Sequence, residues 1–442
     1  MSLFAREEHR MIEIINSSDK LRLADLLKCI RGRNVALDLE LTSQVAAIIH
    51  DVRSRGDAAL VEYTARFDGC FIQTSDLRVS EQILRTAASK ADPVIMEALR
   101  EAIRRIRYFH EFERQQSWQK EVSNGVRFGQ RITPIDRAGM YVPGGTASYP
   151  SSVIMNVIPA QIAGVSRIVV ATPPRTLQEN PAVAAALVEL GVTEVYAVGG
   201  AQAIAALAFG TETVPRVDKI TGPGNKFVAA AKKLVFGVVG IDSLAGPSEV
   251  VVLASEPASA AYIASDLLAQ AEHSPDASAL LITDSNRLAL QVAAELQSQA
   301  RALPRQAVIE KSLNEYGGIV VVDNIDEGCD LVNELAPEHL EILCADEEAV
   351  AGKVRNAGAI FFGDQTPEAT GDYLAGPNHV LPTSGAARFS SALGVYDFMK
   401  RTTILKFSSS ELKETAPLIA TLARAEGLEA HARSALIRTE KE

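Results

Sequence analysis

Residues Glu194–Gly200 read EVYAVGG, an apolar run that ends in two glycines, and the alanine-rich segment Ala201–Phe209 follows at once. A short apolar run that stops at glycine is typical of a buried strand, and the alanine-rich segment predicts a helix. The same order recurs downstream, where Val217–Thr221 predicts a strand, Gly222–Gly224 a turn and Lys226–Phe236 a helix. Strands that alternate with helices predict a parallel sheet with right-handed crossovers.

A second series of the same kind begins at residue 250. Its predicted strands are Val250–Leu253, Leu280–Ile282, Ile319–Val322, Leu340–Leu343 and Ala359–Phe362. The sequence therefore predicts the α/β class, with two doubly wound (Rossmann-like) units in tandem and small helical segments at both termini. Such units predict a ligand cleft at the carboxyl ends of their strands, between the two sheets.

The chain has 442 residues, which is more than one ordinary core accommodates. We expect a first α/β domain formed by residues 31–138 with 250–392, and a second formed by residues 139–249. Residues 1–30 with 393–410 should form a small helical and extended appendage, and residues 411–442 a helical tail.

Composition narrows the class of protein. Charged residues make up 22% and apolar residues 47%, which excludes disorder as the main state. A net charge of -11 without a Lys/Arg block argues against a nucleic-acid partner. The polar segment Met1–Lys20 has no apolar signal core, so the sequence predicts a cytoplasmic protein.

One segment, residues 138–166, carries no charged side chain and is long enough to suggest a membrane span. It also contains Pro143, Pro150 and Pro159 together with several glycines and serines. This composition predicts loops around one short buried element and a place for a ligand, and no membrane partner.

Four cysteines, Cys29, Cys70, Cys329 and Cys344, occur without a C-x-x-C pair. Neither a thiolate zinc site nor a redox motif is indicated, and reduced, mostly buried thiols are expected.

Three glycine turns follow predicted strands and precede helices: Gly144–Gly145, Gly199–Gly200 and Gly222–Gly224. Such turns let backbone amides approach a phosphate at a helix N-terminus. None completes G-x-G-x-x-G, because the third glycine after Gly224 would fall at Phe227. A dinucleotide site and tight turns without a ligand are both compatible with this pattern.

Candidate catalytic groups lie at Glu338 and His339, which follow a proline and precede an apolar run. Adjacent residues face opposite sides of a strand, so the pair reaches one cleft most easily from a turn. There it would suit acid-base chemistry; a plain helix-to-strand connection is the alternative.

Other imidazoles and carboxylates stand in unusual surroundings. Gln270 and His273 have helical i, i+3 spacing, Asp372 and His379 share a loop rich in turn residues, and Glu426 and His431 lie in the tail. Imidazole and carboxylate together suit zinc, and a site with room for a substrate would be catalytic. Taken singly, each histidine is more often a core or capping residue, whereas four of them in polar, glycine-rich surroundings favour one shared site.

The segment Ile241–Glu249 (IDSLAGPSE) resembles the signature of the histidinol dehydrogenase family. The segments around Tyr141, Gln202, Asn225 and the histidines quoted above resemble that family in order and spacing, over nearly the whole chain. The resemblance implies the last two oxidations of histidine biosynthesis, from L-histidinol through L-histidinal to L-histidine, with two NAD reduced in turn. It also implies a homodimer that shares its active sites, with the tail's His431 acting in the partner's site.

The resemblance further implies a role for each matching residue. The catalytic pair would be Glu338 and His339, and the zinc ligands Gln270, His273, Asp372 and His431. Substrate contacts would come from these ligands and from Ser248, His339, His379 and Glu426. The NAD site would lie in domain 139–249, at Tyr141, Gln202 and Asn225.

A mechanism follows as a hypothesis. His339 takes the alcohol proton while hydride leaves for NAD, and Glu338 then activates water for the second oxidation, while the zinc only holds the substrate. A cysteine thiohemiacetal is not expected, since no cysteine lies in a matching motif. The alternatives are a paralogous NAD-dependent dehydrogenase of another small polar alcohol and a non-catalytic metal-dependent binding protein.

Overall fold

The structure is a computed structural model that describes residues 11–33, 39–122, 125–144, 149–244 and 246–440. Gly145 of the first glycine turn, Ala245 of the Ile241–Glu249 segment and the first ten residues of the expected appendage lie outside the described residues.

The strands of the described residues are, in chain order, β1 (Ile14–Asn16), β2 (Arg78–Val79), β3 (Trp118–Glu121), β4 (Arg127–Pro134), β5 (Arg137–Tyr141), β6 (Arg167–Thr172), β7 (Glu194–Ala197), β8 (Lys219–Thr221), β9 (Gly240–Ile241), β10 (Glu249–Ala254), β11 (Ser278–Thr283), β12 (Gly318–Val321), β13 (His339–Leu343), β14 (Ala359–Phe362) and β15 (Met399–Lys406).

The helices are α1 (Lys20–Gly32), α2 (Leu39–Arg55), α3 (Asp57–Tyr63), α4 (Glu81–Ala88), α5 (Pro93–Glu111), α6 (Pro150–Ala163), α7 (Thr176–Glu179), α8 (Pro181–Glu189), α9 (Gly200–Phe209), α10 (Lys226–Val235), α11 (Ala260–Ala271), α12 (Asn286–Ala300), α13 (Gln306–Tyr316), α14 (Ile325–Leu335), α15 (Glu347–Ala351), α16 (Glu368–Tyr373), α17 (Ser409–Ala425) and α18 (Glu429–Leu436).

Two six-stranded sheets form the body of the protein. The first sheet has the order β1-β12-β11-β10-β13-β14, and all its pairs are parallel. The second has the order β2-β7-β6-β5-β8-β9 and is parallel except for β2, which runs antiparallel to β7. Apolar clusters cover both faces of each sheet, so both units are doubly wound. The predicted fold class is confirmed.

The packing differs from the expected domain boundaries. Residues 31–138 were assigned to the first sheet, yet α2 packs on α9 and α10, α5 packs on α6, and β2 pairs with β7 in the second sheet. An amphipathic pattern such as that of α2 shows that one face is buried, but it does not show which sheet buries it.

The expected appendage is also divided. β1 extends the first sheet by pairing with β12, whereas β15 pairs with β4 in a separate antiparallel sheet of order β15-β4-β3. Residues 11–30 and 393–410 therefore contribute to different parts of the fold. The helical tail is observed as α17 and α18, which pack on each other.

The charge-free segment contains a helix rather than mainly loops. α6 has Pro150 at its first turn, Pro159 in its interior and Gly164 as its left-handed cap, and 11 of its 14 residues are buried. Its lack of charge follows from this burial against the second sheet. Among the described residues, every helix is too short or too polar to cross a membrane. The cytoplasmic location stays a prediction.

Candidate active site

The adjacent pair Glu338 and His339 lies where α14 passes into β13. Ala336 closes α14 in the left-handed conformation, with φ of 51°, and its N–H donates to the Val332 carbonyl at 2.7 Å. The chain then turns at Pro337 and enters β13 at His339. Glu338 and His339 are only 7% and 4% exposed. The turn that the sequence predicts is therefore present, and both side chains are buried beside it.

The backbone of Glu249 holds both side chains, through the two peptide units on either side of its Cα. The Glu249 N–H donates to Glu338 Oε2 at 2.9 Å, and the Glu249 carbonyl oxygen lies 3.0 Å from His339 Nδ1. Because a carbonyl oxygen only accepts, Nδ1 must carry the ring proton. Nε2 is then the unprotonated nitrogen, so the contact sets the tautomer that a general base requires.

Burial shifts both pKa values away from the charged forms. It lowers the pKa of His339 to about 4, against an opposing contribution from Asp372, so the imidazole is neutral at pH 7. Burial also raises the pKa of Glu338 well above 4.5, and the nearby carboxylates of Glu249 and Asp372 raise it further. The site therefore pairs a neutral base with a carboxyl group that readily holds a proton.

A possible metal centre lies beside this pair. Ligand atoms of His273, Glu368 and Asp372 all lie within 4.8 Å of one another, and Glu368 Oε1 is 3.5 Å from His339 Nδ1. The structure thus brings together two of the predicted ligands, His273 and Asp372, with Glu368, which the sequence analysis missed. Glu368 precedes Asp372 by four residues in α16, a spacing that would have indicated a shared helix face.

The other two predicted ligands are placed differently. Gln270 is fully buried near the end of α11, and in the orientation that satisfies its amide, its nitrogen donates to Glu368 Oε1 at 3.0 Å. His431 is exposed on α18, and Glu426 is exposed at the end of α17. Coordination by Gln270 and His431 stays a prediction.

A cavity of about 160 Å³ brings together part of the predicted site, whereas Gln270, Glu426 and His431 are not among its lining residues. Its lining includes six of the predicted residues: Ser248, His273, Glu338, His339, Asp372 and His379. His379 Nδ1 lies 3.1 Å from the Asp372 carbonyl oxygen, which assigns its proton in the same way as for His339. Among the residues described, no cysteine lines this cavity.

The cavity lies between the amino ends of strands in the first sheet and the carboxyl end of a strand in the second sheet. Ser248 and Glu338 precede β10 and β13, so the first sheet contributes the amino ends of its strands. Gly222 and Pro223 follow β8, so the second sheet contributes a carboxyl end. The expectation of carboxyl ends is right for the second sheet and wrong for the first, because crossover order alone does not fix how two tandem sheets face each other.

A larger cavity of about 470 Å³ lies at the carboxyl ends of the second sheet and is lined by Tyr141, Gln202 and Asn225. The Gly200 N–H donates to Tyr141 Oη at 3.0 Å, and Asn225 Oδ1 caps α10. Gln202 is buried, and in the described structure neither atom of its amide has a hydrogen-bond partner. Buried polar groups without protein partners on a cavity wall can bond to a ligand or to water in that cavity.

Two further polar groups of this wall were not predicted. Asp68 Oδ2 and Thr176 Oγ1 are buried without partners among the described atoms, and both residues line the larger cavity. Asp68 precedes Gly69, which ends a helical segment, and Thr176 begins α7. Neither lies in the three glycine turns after predicted strands or beside a histidine, so the patterns that indicate a site do not mark them.

A buried ion pair fixes the glycine turn between the two cavities. Lys232 pairs with Asp242, and its Nζ donates to the Gly222 carbonyl at 3.1 Å. The Gly222 N–H in turn donates to Asp242 Oδ2 at 2.8 Å. The backbone N–H and the backbone carbonyl of Gly222 are therefore both held, which keeps the turn in one position relative to both cavities.

Residues 32–439 match the sequence model of the family described as Histidinol dehydrogenase. The chain belongs to the histidinol dehydrogenase family. It is 54% identical over 398 residues to a histidinol dehydrogenase of Geobacillus kaustophilus, covering 90% of this chain and 93% of the relative. It is 52% identical over 396 residues to that of Bacillus subtilis, covering 89% and 92%.

A solved structure of histidinol dehydrogenase from Elizabethkingia anophelis shares the fold, with a TM-score of 0.91 at 34% identity, over 97% of this chain and 98% of that one. The predicted family is confirmed. As a member of the histidinol dehydrogenase family, the chain is an oxidoreductase of histidine biosynthesis. The paralogous dehydrogenase and the non-catalytic binding protein are not favoured.

Proposed function

We propose that this chain oxidises L-histidinol to L-histidine through L-histidinal, reducing two NAD, as a homodimer that requires zinc. The observation that carries the proposal is the backbone of Glu249, which holds a neutral His339 and a Glu338 of raised pKa, hence a more basic carboxylate, against one cavity. A neutral base beside a carboxyl group of raised pKa suits a reaction that removes several protons in succession.

In the first oxidation, His339 Nε2 accepts the hydroxyl proton while the C–H hydride passes to the first NAD. The product is the aldehyde and an imidazolium, which returns its proton to solvent. Neutral imidazole is the reactive form, and the low pKa of His339 keeps it available at pH 7.

In the second oxidation, the Glu338 carboxylate accepts a proton from water as the water oxygen adds to the aldehyde carbon. His339 then takes a proton from the hydrated aldehyde while the second hydride passes to the second NAD. One alcohol, two NAD and one water give one carboxylate, two NADH and three protons, so the atoms and charges balance.

The larger cavity is the proposed NAD site. Asn225 lines it, and Gly222 and Pro223, three and two residues earlier in the chain, line the smaller cavity. The unsatisfied Gln202 amide of the larger cavity offers both a donor and an acceptor. Tyr141 and Asn225 line the same space. Its place at the carboxyl ends of parallel strands is the usual location for a nucleotide in this fold class.

The residues beside the catalytic pair fit zinc. One imidazole nitrogen and carboxylate oxygens close enough to share an ion form a donor set that zinc accepts. We propose His273 and Asp372 as ligands, with Gln270, and with His431 of the partner subunit. The zinc, when bound, supplies a positive charge that holds the imidazole and amino nitrogens of histidinol. Ser248, His379 and Glu426 would contact the rest of the substrate.

The tail supports a dimer with shared sites. On α17, Ala416, Ala420 and Ala423 are buried, whereas Leu418 and Leu422 on its other side are 66% and 68% exposed. An exposed apolar face of this kind fits a protein partner. Since His431 and Glu426 are exposed on the same tail, we propose that a second copy of the chain receives them.

Substitution of Glu338 by glutamine tests the mechanism. The variant should still oxidise histidinol to histidinal but should lose oxidation of added histidinal by roughly 10²–10⁴-fold, the usual contribution of a general base. Glu334→Gln, an exposed glutamate near the end of the preceding helix, is the matched control. If histidinal oxidation survives in Glu338→Gln while alcohol oxidation fails, the role assigned to Glu338 is wrong.

Mixing two inactive variants tests the shared site. Coexpressed His431→Ala and His339→Asn chains should regain activity, because a heterodimer contains one site with an intact pair and an intact tail. Random pairing gives half heterodimers with one good site each, or about a quarter of wild-type activity. Failure to regain activity in a mixture shown to contain heterodimers would contradict action in trans.

A further inference from the structure

A buried ion pair joins Arg33, at the C-terminal end of α1, to Glu249, the first residue of β10. Arg33 Nη2 lies 2.6 Å from Glu249 Oε1, and the two side chains are only 2% and 9% exposed. The same guanidinium donates through Nε to the Ile30 carbonyl at 2.9 Å and through Nη1 to the Asp276 carbonyl at 2.7 Å. Its Cζ atom also lies 5.5 Å from the ring centroid of Tyr316. Arg33 is therefore held from several directions and offers Glu249 a fixed partner.

Glu249 is the residue whose backbone N–H and carbonyl contact Glu338 and His339. The N–H and the carbonyl of Glu249 belong to the two peptide units on either side of its Cα, and both groups face β13. On the opposite side, the Ser248 carbonyl accepts from the Ser278 N–H at 3.0 Å and anchors the preceding residue to β11. The Glu249 carboxylate is a further attachment: it pairs with Arg33 and also accepts hydrogen bonds from the backbone of Ser384 and Glu338.

We propose that Arg33 is a positioning residue for the catalytic pair, acting through Glu249. The proposal rests on the roles given above to Glu338 and His339. Arg33 binds the Glu249 carboxylate. The backbone N–H and carbonyl of Glu249 in turn contact the Glu338 carboxyl group and the His339 imidazole. A displacement of about 1 Å at a catalytic group costs up to roughly 100-fold in rate, so a loosened Glu249 should reduce turnover.

Arg33→Lys is the first test. A lysine keeps the charge opposite Glu249, but its single ammonium group cannot match the fork that binds two carbonyls and a carboxylate together. We expect kcat to fall by about ten- to 100-fold, with KM for NAD and for histidinol within about twofold. Arg31→Lys is the matched control, since Arg31 is exposed and pairs with Glu334 at 2.7 Å. It should leave kcat unchanged.

A double variant separates positioning from stability. Removing Arg33 alone leaves a buried carboxylate without its partner, whereas Arg33→Met with Glu249→Met removes both charges and avoids that penalty. We expect this variant to approach the wild-type melting temperature while kcat stays low. Wild-type kcat in the double variant, or in Arg33→Lys, would overturn the proposal. If Arg33→Lys does not fold, the double variant decides alone.

The tautomer of His339 gives a readout that a purely structural role would not move. With ¹⁵N-labelled histidine, the wild-type protein should show His339 as the Nδ1–H form, and Arg33→Lys should show a mixture with the Nε2–H form. An unchanged tautomer with unchanged kcat contradicts positioning while leaving the proposed function intact. A wild-type protein that fails to oxidise histidinol would instead contradict the proposed function.

Discussion

Lowering the pH from 7 to 5 should destabilise the wild-type protein more than a His339→Asn variant. Burial lowers the pKa of His339 from 6.5 to about 4, so the unfolded chain takes up a proton before the folded one does. The stability present above pH 6.5 is therefore lost progressively as the pH falls towards 4. At 1.36 kcal/mol per pKa unit, the loss is about 2 kcal/mol by pH 5 and about 3.4 kcal/mol in total.

The assay is the free energy of unfolding from urea titrations at pH 7 and pH 5, after treatment with a chelator so that metal release does not contribute. The change between the two pH values is compared for wild type and His339→Asn, which cancels the effect of every other group. His50→Asn, at an exposed histidine of α2, is the control and should behave as wild type. An equal loss of unfolding free energy between pH 7 and pH 5 in wild type and in His339→Asn would contradict the lowered pKa of His339.

Three more substitutions have defined outcomes. Burial, and next the neighbouring Asp266, raise the pKa of Glu341, so the free energy lost by burying its carboxylate grows as the pH rises above 4.5. Glu341→Gln should therefore gain stability over wild type between pH 5 and 7 in the same titrations, by at most about 2.7 kcal/mol at 1.36 kcal/mol per pH unit. Gly222→Ala places a Cβ 2.1 Å from the Tyr141 carbonyl oxygen at a φ of 114°, so KM for NAD should rise about tenfold or more in steady-state assays. Lys232→Met leaves Asp242 buried without its cation and should cost about 3–5 kcal/mol of unfolding free energy; a change below about 1 kcal/mol would show that the pair is not structurally important.

Much of the fold is readable from local patterns. The strand and glycine turn at 194–200, the turn at Gly222–Gly224 and the parallel series after residue 250 all depend on short-range periodicity and are observed. The partners of α2 and β1 are not readable in this way. Their patterns show that one face is buried, whereas the sheet that buries it is set by contacts between residues far apart in sequence.

In the candidate site, too, local sequence patterns predict some residues, whereas others depend on contacts between residues far apart in the chain. Glu338 and His339 stand out because a carboxylate and an imidazole follow a proline, and the structure places both at one cavity. Glu249 and Arg33 carry no such mark, because the decisive feature of Glu249 is its backbone and that of Arg33 is a contact 216 positions away in the chain. Glu368 was missed because the short helix α16 was interpreted as a loop.

The most direct measurement is the number of NADH formed per histidine when purified protein is given L-histidinol, NAD and zinc. We expect two NADH for each histidine, since Glu338 and His339 serve two successive hydride transfers in one site. A ratio near one, or accumulation of free histidinal in place of histidine, would contradict it.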